Sequence, residues 1–449
     1  MITNQLTLDL NQTFPIPSDI THHFIDNRHL FIATTVPTWI VLDDVFTEVI
    51  TRMHRGANLK DSLYVLQSYG FENEAATKKL KSLLRLLVAF DFTQDASQKE
   101  QTEYGVVQLH LTNQCNLSCP HCYVSSGKPF SYEIGLQECK DILNVMREKF
   151  EKVHVTISGG EPLTVPWLNE LLVFAKQKHN FETAIITNGL LWTKQKAEAL
   201  APYLDFAAVS LDGASATIHD AIRGRGTFEQ TIRNIEVMNS FGIRIALNIT
   251  VMQRNKEDLV QHLHSLVSSF NFEVDVNLGD YVAEGRGEDN PDEKLSSSEF
   301  REILSHLVEP FLRNKWKPFP TPKRSNCGYG KSFAVYANGD VSPCLSPRFI
   351  RGNILRNGVR ELFEAIAQEA DDASVERLPL CRTCDLKYLC GGKCHLNHFI
   401  HTRIMQQNDC PSSYREDFYR SLIKRFDSTL NSYKFLLDTA EEVIGDRKN

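Results

Sequence analysis

The sequence predicts an α/β protein with three parts. A partial (β/α)6 barrel forms the centre, a winged-helix-like α+β domain precedes it, and a cysteine-rich domain follows. Three observations carry this reading. Six short apolar runs alternate with helical patterns between about 106 and 285. Three strand-like runs followed by three helical ones fill residues 1 to about 95. Ten of the eleven cysteines fall into four groups, three of which lie beyond residue 320. The expected parts are 1–95, a linker at 96–105, the barrel at 106–310, the cysteine-rich domain at 311–413 and a C-terminal helix at 414–449.

Composition excludes several classes first. With 449 residues, 42% hydrophobic and 23% charged, the chain can bury a sizeable core, unlike a disordered or collagenous one. The net charge of −7 gives no basic footprint for nucleic acid. The run Phe31 to Leu42 is broken by Pro37 and is too short to span a bilayer. The start, MITNQLTLDLNQ, lacks the basic head and apolar stretch of a signal peptide. A reducing, cytoplasmic setting is therefore expected, with no membrane partner. Clustered cysteines in such a compartment point to metal rather than disulfides.

In the first part, HHFID, HLFIATTV and TWIVLDD read as strands, rich in β-branched and aromatic residues. A helix should follow Asp43-Asp44 and end at Gly56. LKDSLYVLQSY, stopped by Gly70, and AATKKLKSLLRLLVAF make two more. The polar stretch Thr93 to Glu103 reads as a linker.

In the barrel, the strands are VVQLHL, KVHVTIS, ETAIIT, DFAAVS, RIALNITV and EVDVNL. Helical patterns such as LQECKDILNVMREKF and FEQTIRNIEVMNSF separate them, which implies a parallel sheet with right-handed crossovers. Sites in such folds lie at the carboxyl ends of the strands. From about Lys323 to Ser413 the periodicity is lost, and the segment reads as loop-rich and held by metal. The tail, Tyr414 to about Ile444, has Phe418, Leu422, Phe426 and Leu430 at helical spacing and should dock as a helix.

The first barrel strand runs into Cys115-x3-Cys119-x2-Cys122. Structural zinc takes four ligands, so three thiolates do not close such a site. On a [4Fe–4S] cluster, three thiolates leave one iron open to a substrate or cofactor. A zinc site borrowing His121 or His110 is the alternative.

The stretch Cys115-x3-Cys119-x2-Cys122-Tyr123 resembles the signature of the radical S-adenosylmethionine (SAM) superfamily. So do Gly159-Gly160-Glu161-Pro162 after the second strand, Thr187-Asn188-Gly189 after the third, and Ser210-Leu211-Asp212-Gly213 after the fourth. The resemblance implies that Cys115, Cys119 and Cys122 hold a cluster and that SAM chelates its open iron. It implies cofactor contacts at Tyr123, Gly159, Gly160, Glu161, Asn188, Ser210, Asp212 and Arg223. The Gly159–Glu161 backbone would meet the SAM amino group and Tyr123 the adenine. Ser210 and Arg223 would meet the carboxylate, which a guanidinium pairs well. The chemistry implied is reductive cleavage of SAM to methionine and a 5′-deoxyadenosyl radical that abstracts a hydrogen atom.

The later spacing is Cys327-x11-Gly339-x4-Cys344, then Cys381-x2-Cys384-x5-Cys390-x3-Cys394, then Cys410. It resembles the SPASM extension of radical SAM enzymes, which carries two auxiliary [4Fe–4S] clusters and makes three in all. The resemblance implies that Cys381, Cys384, Cys390 and Cys410 ligate the second and Cys327, Cys344 and Cys394 the first. The first would then keep an open iron, where a substrate thiolate could bind. Two zinc sites using His395 or His398 are the alternative. Cys139, on the apolar face of a helical stretch, should be a buried small hydrophobe.

Residues 20–92 resemble the PqqD-like peptide-recognition domain fused to many SPASM enzymes. A DNA-binding winged helix is the rival, but the segment lacks a basic recognition helix. As a peptide binder the domain would add a leader peptide as an extra strand, at HLFIATTV or TWIVLDD. The resemblances together imply an oxidoreductase that cross-links a ribosomally made precursor peptide through a thioether or carbon–carbon bond. A flavodoxin or ferredoxin would supply electrons. Sulfatase-maturase-like oxidation, epimerisation, decarboxylation and a metal-held binding protein without turnover are the alternatives. No Asp, Glu or Tyr stands out as a catalytic base.

Overall fold

The structure is a computed structural model that describes residues 9–93, 104–312, 328–344, 349–393 and 410–432. Cys327, Cys394, His395, His398, the stretch 94–103 and the tail beyond 432 lie outside the described residues. Two compact units are present. One holds 9–93, 370–393 and 410–432; the other holds 104–312, 329–344 and 349–369.

In the first unit, β1 (Ile20–Ile25), β2 (Arg28–Ala33) and β3 (Thr38–Leu42) form an antiparallel sheet in that order. Asp26 and Asn27 make the β1–β2 turn with φ of 48° and 58°. Such left-handed pairs suit the twist of a two-residue hairpin. Helix α1 (Asp44–His54) is capped by Asp43, which accepts from the Phe46 N–H at 2.9 Å. Asn58 and Asp61 form a reciprocal capping box on α2 (Leu59–Ser68), and α3 (Asn73–Ala89) follows. These are the three strands and three helices expected from the pattern. One expectation is corrected. HLFIATTV is the central strand, paired on both sides, so it has no free edge for a peptide.

The core of this unit extends past the first 93 residues. The C-terminal helix (Ser412–Ser432) docks on β3, as the apolar spacing of the tail anticipated. Leu422 and Phe426 are buried, the Trp39 Nε1 donates to the Leu422 carbonyl at 3.0 Å, and Phe426 lies 4.6 Å from Phe90. Leu386 and Leu389, between the cysteines of the C-terminal set, join the same core. Asp385 fastens the assembly. It accepts from Thr21 Oγ1 at 3.0 Å and His23 Nε2 at 2.6 Å on β1, and from Tyr419 at 3.0 Å on the helix.

In the second unit, β4 (Tyr104–His110), β5 (Lys152–Ser158), β6 (Glu182–Thr187), β7 (Phe206–Ser210), β8 (Arg244–Val251) and β9 (Val274–Asp280) are parallel neighbours in sequence order. Helices α4 (Leu136–Lys149), α5 (Leu168–Val173), α6 (Lys194–Leu200), α7 (Ala216–Arg223), α8 (Thr227–Ser240) and α9 (Lys256–Ser269) cross between them. Such strands are nearly continuous apolar runs because both faces are covered. Cys139 on α4 is fully buried, as expected.

Between 328 and 393 the described residues hold more regular structure than the sequence reading expects. β10 (Ser332–Val335) pairs in parallel with β4, and β11 (Asp340–Ser342) and β12 (Gly352–Asn353) extend the sheet to nine strands. A helix, Val359–Asp372, covers them, with Phe363 stacked 4.2 Å from Phe333. Strands of four, three and two residues are too short to show alternation. No described helix is long and apolar enough to cross a membrane.

Replacing Asp385 with Ala would leave three donors without their acceptor. The expected loss is about 1–3 kcal/mol of stability, read by denaturant unfolding, with faster amide exchange in β1.

Candidate active site at the barrel mouth

The loop after β4 is held both by its own turns, such as Cys115 N–H to the Gly127 carbonyl at 2.9 Å, and by other strand ends. Gly160 N–H donates to Thr112 at 2.7 Å and Glu161 N–H to Gln114 at 2.8 Å. The two turns lie so close that a Cβ on Gly160 would overlap the Gln114 carbonyl, so only glycine fits. Glu133 receives Thr112 Oγ1 and the Asn113 N–H, both at 2.7 Å, and the Phe130 N–H at 3.0 Å. From beyond β9, Arg286 donates to the Cys119 carbonyl at 2.9 Å and the Ser126 carbonyl at 2.6 Å.

On this frame the Leu117 N–H points to Cys115 Sγ at 3.5 Å and the Ser126 N–H to Cys122 Sγ at 3.3 Å. Such donors favour sulfur in its anionic form. Burial pushes the Cys115 and Cys119 thiols up, so a metal is what would draw the thiolates out here.

All three sulfur-bearing residues line one cavity of about 500 Å³. Tyr123, Gly159, Gly160, Asn188, Ser210 and Arg223 line it too, so six of the eight expected cofactor residues converge. They come from the ends of β4, β5, β6 and β7 and from α7. Asn248, Thr250 and Asn277 add polar groups from β8 and β9.

Glu161 and Asp212 lie behind this wall, fully buried. Glu161 accepts from the Asn188 N–H at 2.8 Å, Thr187 Oγ1 at 2.9 Å and the Leu163 N–H at 3.2 Å. It fastens the turn after β6 to the turn after β5. Burial raises its carboxyl against these donors. Asp212 accepts from Arg223 Nε at 2.6 Å and the Thr250 N–H at 2.9 Å, and meets His121 Nε2 at 3.1 Å. Burial pushes this carboxyl up, but the Arg223 guanidinium and the His121 ring outweigh it and hold it well below the usual range. Both side chains that Asp212 orients face the cavity.

Two functional candidates escaped the sequence reading. His121 was weighed only as a zinc ligand; it lines the cavity, and its buried Nδ1 has no hydrogen-bond partner in the structure. Arg286 is one arginine in an irregular loop, and nothing in the sequence marks it.

The second cysteine set, Cys381, Cys384, Cys390 and Cys410, belongs to the first unit. Burial pushes the Cys384 thiol up, and the nearby Asp385, Cys410 and Cys381 push it in the same direction. Cys344 follows β11 and lies 3.6 Å from Ser342 Oγ. Among the described residues no three His, Cys, Asp or Glu side chains converge on a single-ion position.

Comparison with known proteins supplies the family. The radical SAM superfamily model matches residues 109–266, and the SPASM iron–sulfur cluster-binding domain matches 327–385. The mycofactocin maturase MftC of Mycolicibacterium smegmatis is 30% identical over 328 residues, covering 67% of this chain and 82% of that one. The chain belongs to the radical SAM superfamily. The antilisterial bacteriocin subtilosin biosynthesis protein AlbA of Bacillus subtilis is 28% identical over 320 residues, covering 67% of this chain and 69% of that protein. Among solved structures, anSMEcpe with bound AdoMet shares the fold, with a TM-score of 0.56 at 20% identity over 76% of this chain and 98% of that one. The radical SAM enzyme described here therefore uses iron–sulfur and SAM chemistry. Its loop sulfurs, their N–H donors and the adjoining cavity fit that cofactor pair.

Asp212→Ala would strand the buried Arg223 charge. The expected loss is about 3–5 kcal/mol of stability with weaker SAM binding. Because the folded carboxyl is depressed, its contribution is present above the unfolded value. The gap from wild type should hold at neutral pH and shrink only below about pH 4 in denaturant titrations.

Proposed function

We propose that this radical SAM enzyme is a SPASM maturase that installs a cross-link, thioether or carbon–carbon, in a ribosomally synthesised precursor peptide. The observation that carries the reading is the convergence of Cys115, Cys119 and Cys122 with six rim residues on one cavity at the strand ends. The named activities of the relatives, subtilosin biosynthesis and mycofactocin maturation, support a peptide substrate.

In this reading Cys115, Cys119 and Cys122 hold the SAM cluster. Cys381, Cys384, Cys390 and Cys410 hold the second auxiliary cluster. Cys344, with Cys327 and Cys394 from outside the described residues, holds the first, which makes three clusters. When bound at the barrel mouth, cluster and SAM would supply the radical chemistry that removes a hydrogen atom from the peptide. The chain's own residues position and enclose. Arg223, tied back to Asp212, presents a cation to the SAM carboxylate. Gly159 and Gly160 let backbone approach the amino group. Asn188 joins the rim to the cysteine loop through Asn116 at 2.8 Å. Three cysteines for the first auxiliary cluster leave room for a peptide thiolate, which favours a thioether.

The first unit would read the leader. Its antiparallel sheet and three helices support a PqqD-like peptide-recognition reading, in which a leader would add at an outer strand rather than at β2. A flavodoxin or ferredoxin in the cytoplasm would provide the electron.

The test is anaerobic reconstitution and assay with the short peptide encoded beside this chain's gene. The expected result is about 12 iron atoms per chain, from three four-iron clusters, with release of 5′-deoxyadenosine and a peptide lighter by two hydrogens. Cys119→Ala should abolish deoxyadenosine release while leaving about two thirds of the iron. Zinc in place of iron, or deoxyadenosine release with the peptide mass unchanged, would overturn the reading.

A further inference from the structure

The second cysteine set has an outer partner on the C-terminal helix. The Tyr414 hydroxyl lies 3.6 Å from Cys390 Sγ, within reach of a hydrogen bond to sulfur. Several contacts fix that ring. The Tyr414 N–H donates to the Pro411 carbonyl at 3.1 Å, the ring leans on Phe418 at 6.2 Å, and the Lys393 ammonium stands 4.6 Å over its face. Cys410 precedes the first residue of the helix by two positions. It therefore sits at the end where the helix dipole is positive.

We propose that the Tyr414 hydroxyl donates a hydrogen bond to the Cys390 thiolate and raises the reduction potential of the second auxiliary cluster. The proposal rests on the reading of Cys381, Cys384, Cys390 and Cys410 as its ligands. A phenol donates its proton side to a thiolate and draws charge from the sulfur. The reduced cluster carries one more negative charge than the oxidised one, so it gains more from the donor. Hydrogen bonds to the sulfurs are among the known levers on such potentials. The helix end and Lys393 act in the same direction, the latter by polarising the ring.

Asp385 marks the contrast at the neighbouring ligand. Its carboxylate is 3.8 Å from Cys384 Sγ, and a bare charge there would oppose reduction. That carboxylate is already engaged by Thr21, His23 and Tyr419, which spread its charge. The C-terminal helix thus serves both ligands: Tyr414 faces one sulfur, and Tyr419 donates a hydrogen bond to the anion beside the other. An electron released from the peptide during cross-link formation would find a better acceptor in a cluster raised this way.

The test is Tyr414→Phe in the full-length, anaerobically reconstituted enzyme, followed by EPR during a potentiometric titration. The variant keeps the ring, the Lys393 contact and the helix. Iron should stay at about 12 per chain. One midpoint should fall by about tenfold in its reduction equilibrium, roughly 59 mV for one electron. The other two should not move, and deoxyadenosine release without peptide should match wild type. An unchanged set of midpoints would overturn the proposal, as would loss of iron from the variant, which would make the hydroxyl a structural anchor. Cys390→Ala tests the ligand reading separately: full iron and three unaltered signals in that variant would remove the reading and the proposal with it, whatever the Tyr414 result.

Discussion

Everything at the barrel mouth depends on one buried carboxylate pair, Glu161 and Asp212, placed behind the wall of the cavity. Three cysteines on an irregular loop cannot hold their own geometry, because a loop lacks the repeating hydrogen bonds of a strand or helix. Here the loop borrows the ends of β5 and β6 through the Gly160 and Glu161 backbone and the Glu161 side chain. Arg223 and His121 borrow their orientation from Asp212. Placing these anions in the dry interior is costly unless each oxygen is met by a donor, and each carboxylate has several. The result is a preorganised rim whose polar atoms do not have to move when a cofactor arrives.

The first unit shows the same economy with a different purpose. A three-stranded sheet with three helices is small, and its core is completed by a helix and two leucines, Leu386 and Leu389, from far along the chain. Asp385 ties strand, helix and cysteine loop at one point. The domain proposed to read the leader and the cysteines proposed to hold the second auxiliary cluster therefore share one hydrophobic core. Loading a cluster and ordering the sheet are then linked by the same contacts.

Motif residues were legible because each has a local reason to be what it is. The cysteine spacing, the glycines where backbone meets backbone, and the serine and arginine of the rim all appear as short patterns at strand ends. The six parallel strands were legible because burial on both faces makes them continuous apolar runs. Other parts left no such trace. β10 to β12 are too short for a period to emerge. The central place of β2 depends on which strand pairs with which, and its sequence is as apolar as an edge strand might be. Glu161 and Asp212 sit inside the motifs, yet nothing in the motif says that they face inward. Arg286 reaches the cysteine loop from 167 residues away, and a lone arginine in a loop carries no signature.

By itself, then, the sequence determined the chemistry on offer and the kind of scaffold. Cysteine spacing marks where sulfurs are concentrated along the chain, and periodicity decides strand or helix. Tertiary structure alone decided which groups touch the cavity and which stand behind it. It also decided that the C-terminal segment completes the N-terminal domain. Such pairings are chosen by burial and charge compensation between segments distant in the chain, and these depend on where the whole backbone goes rather than on any local pattern.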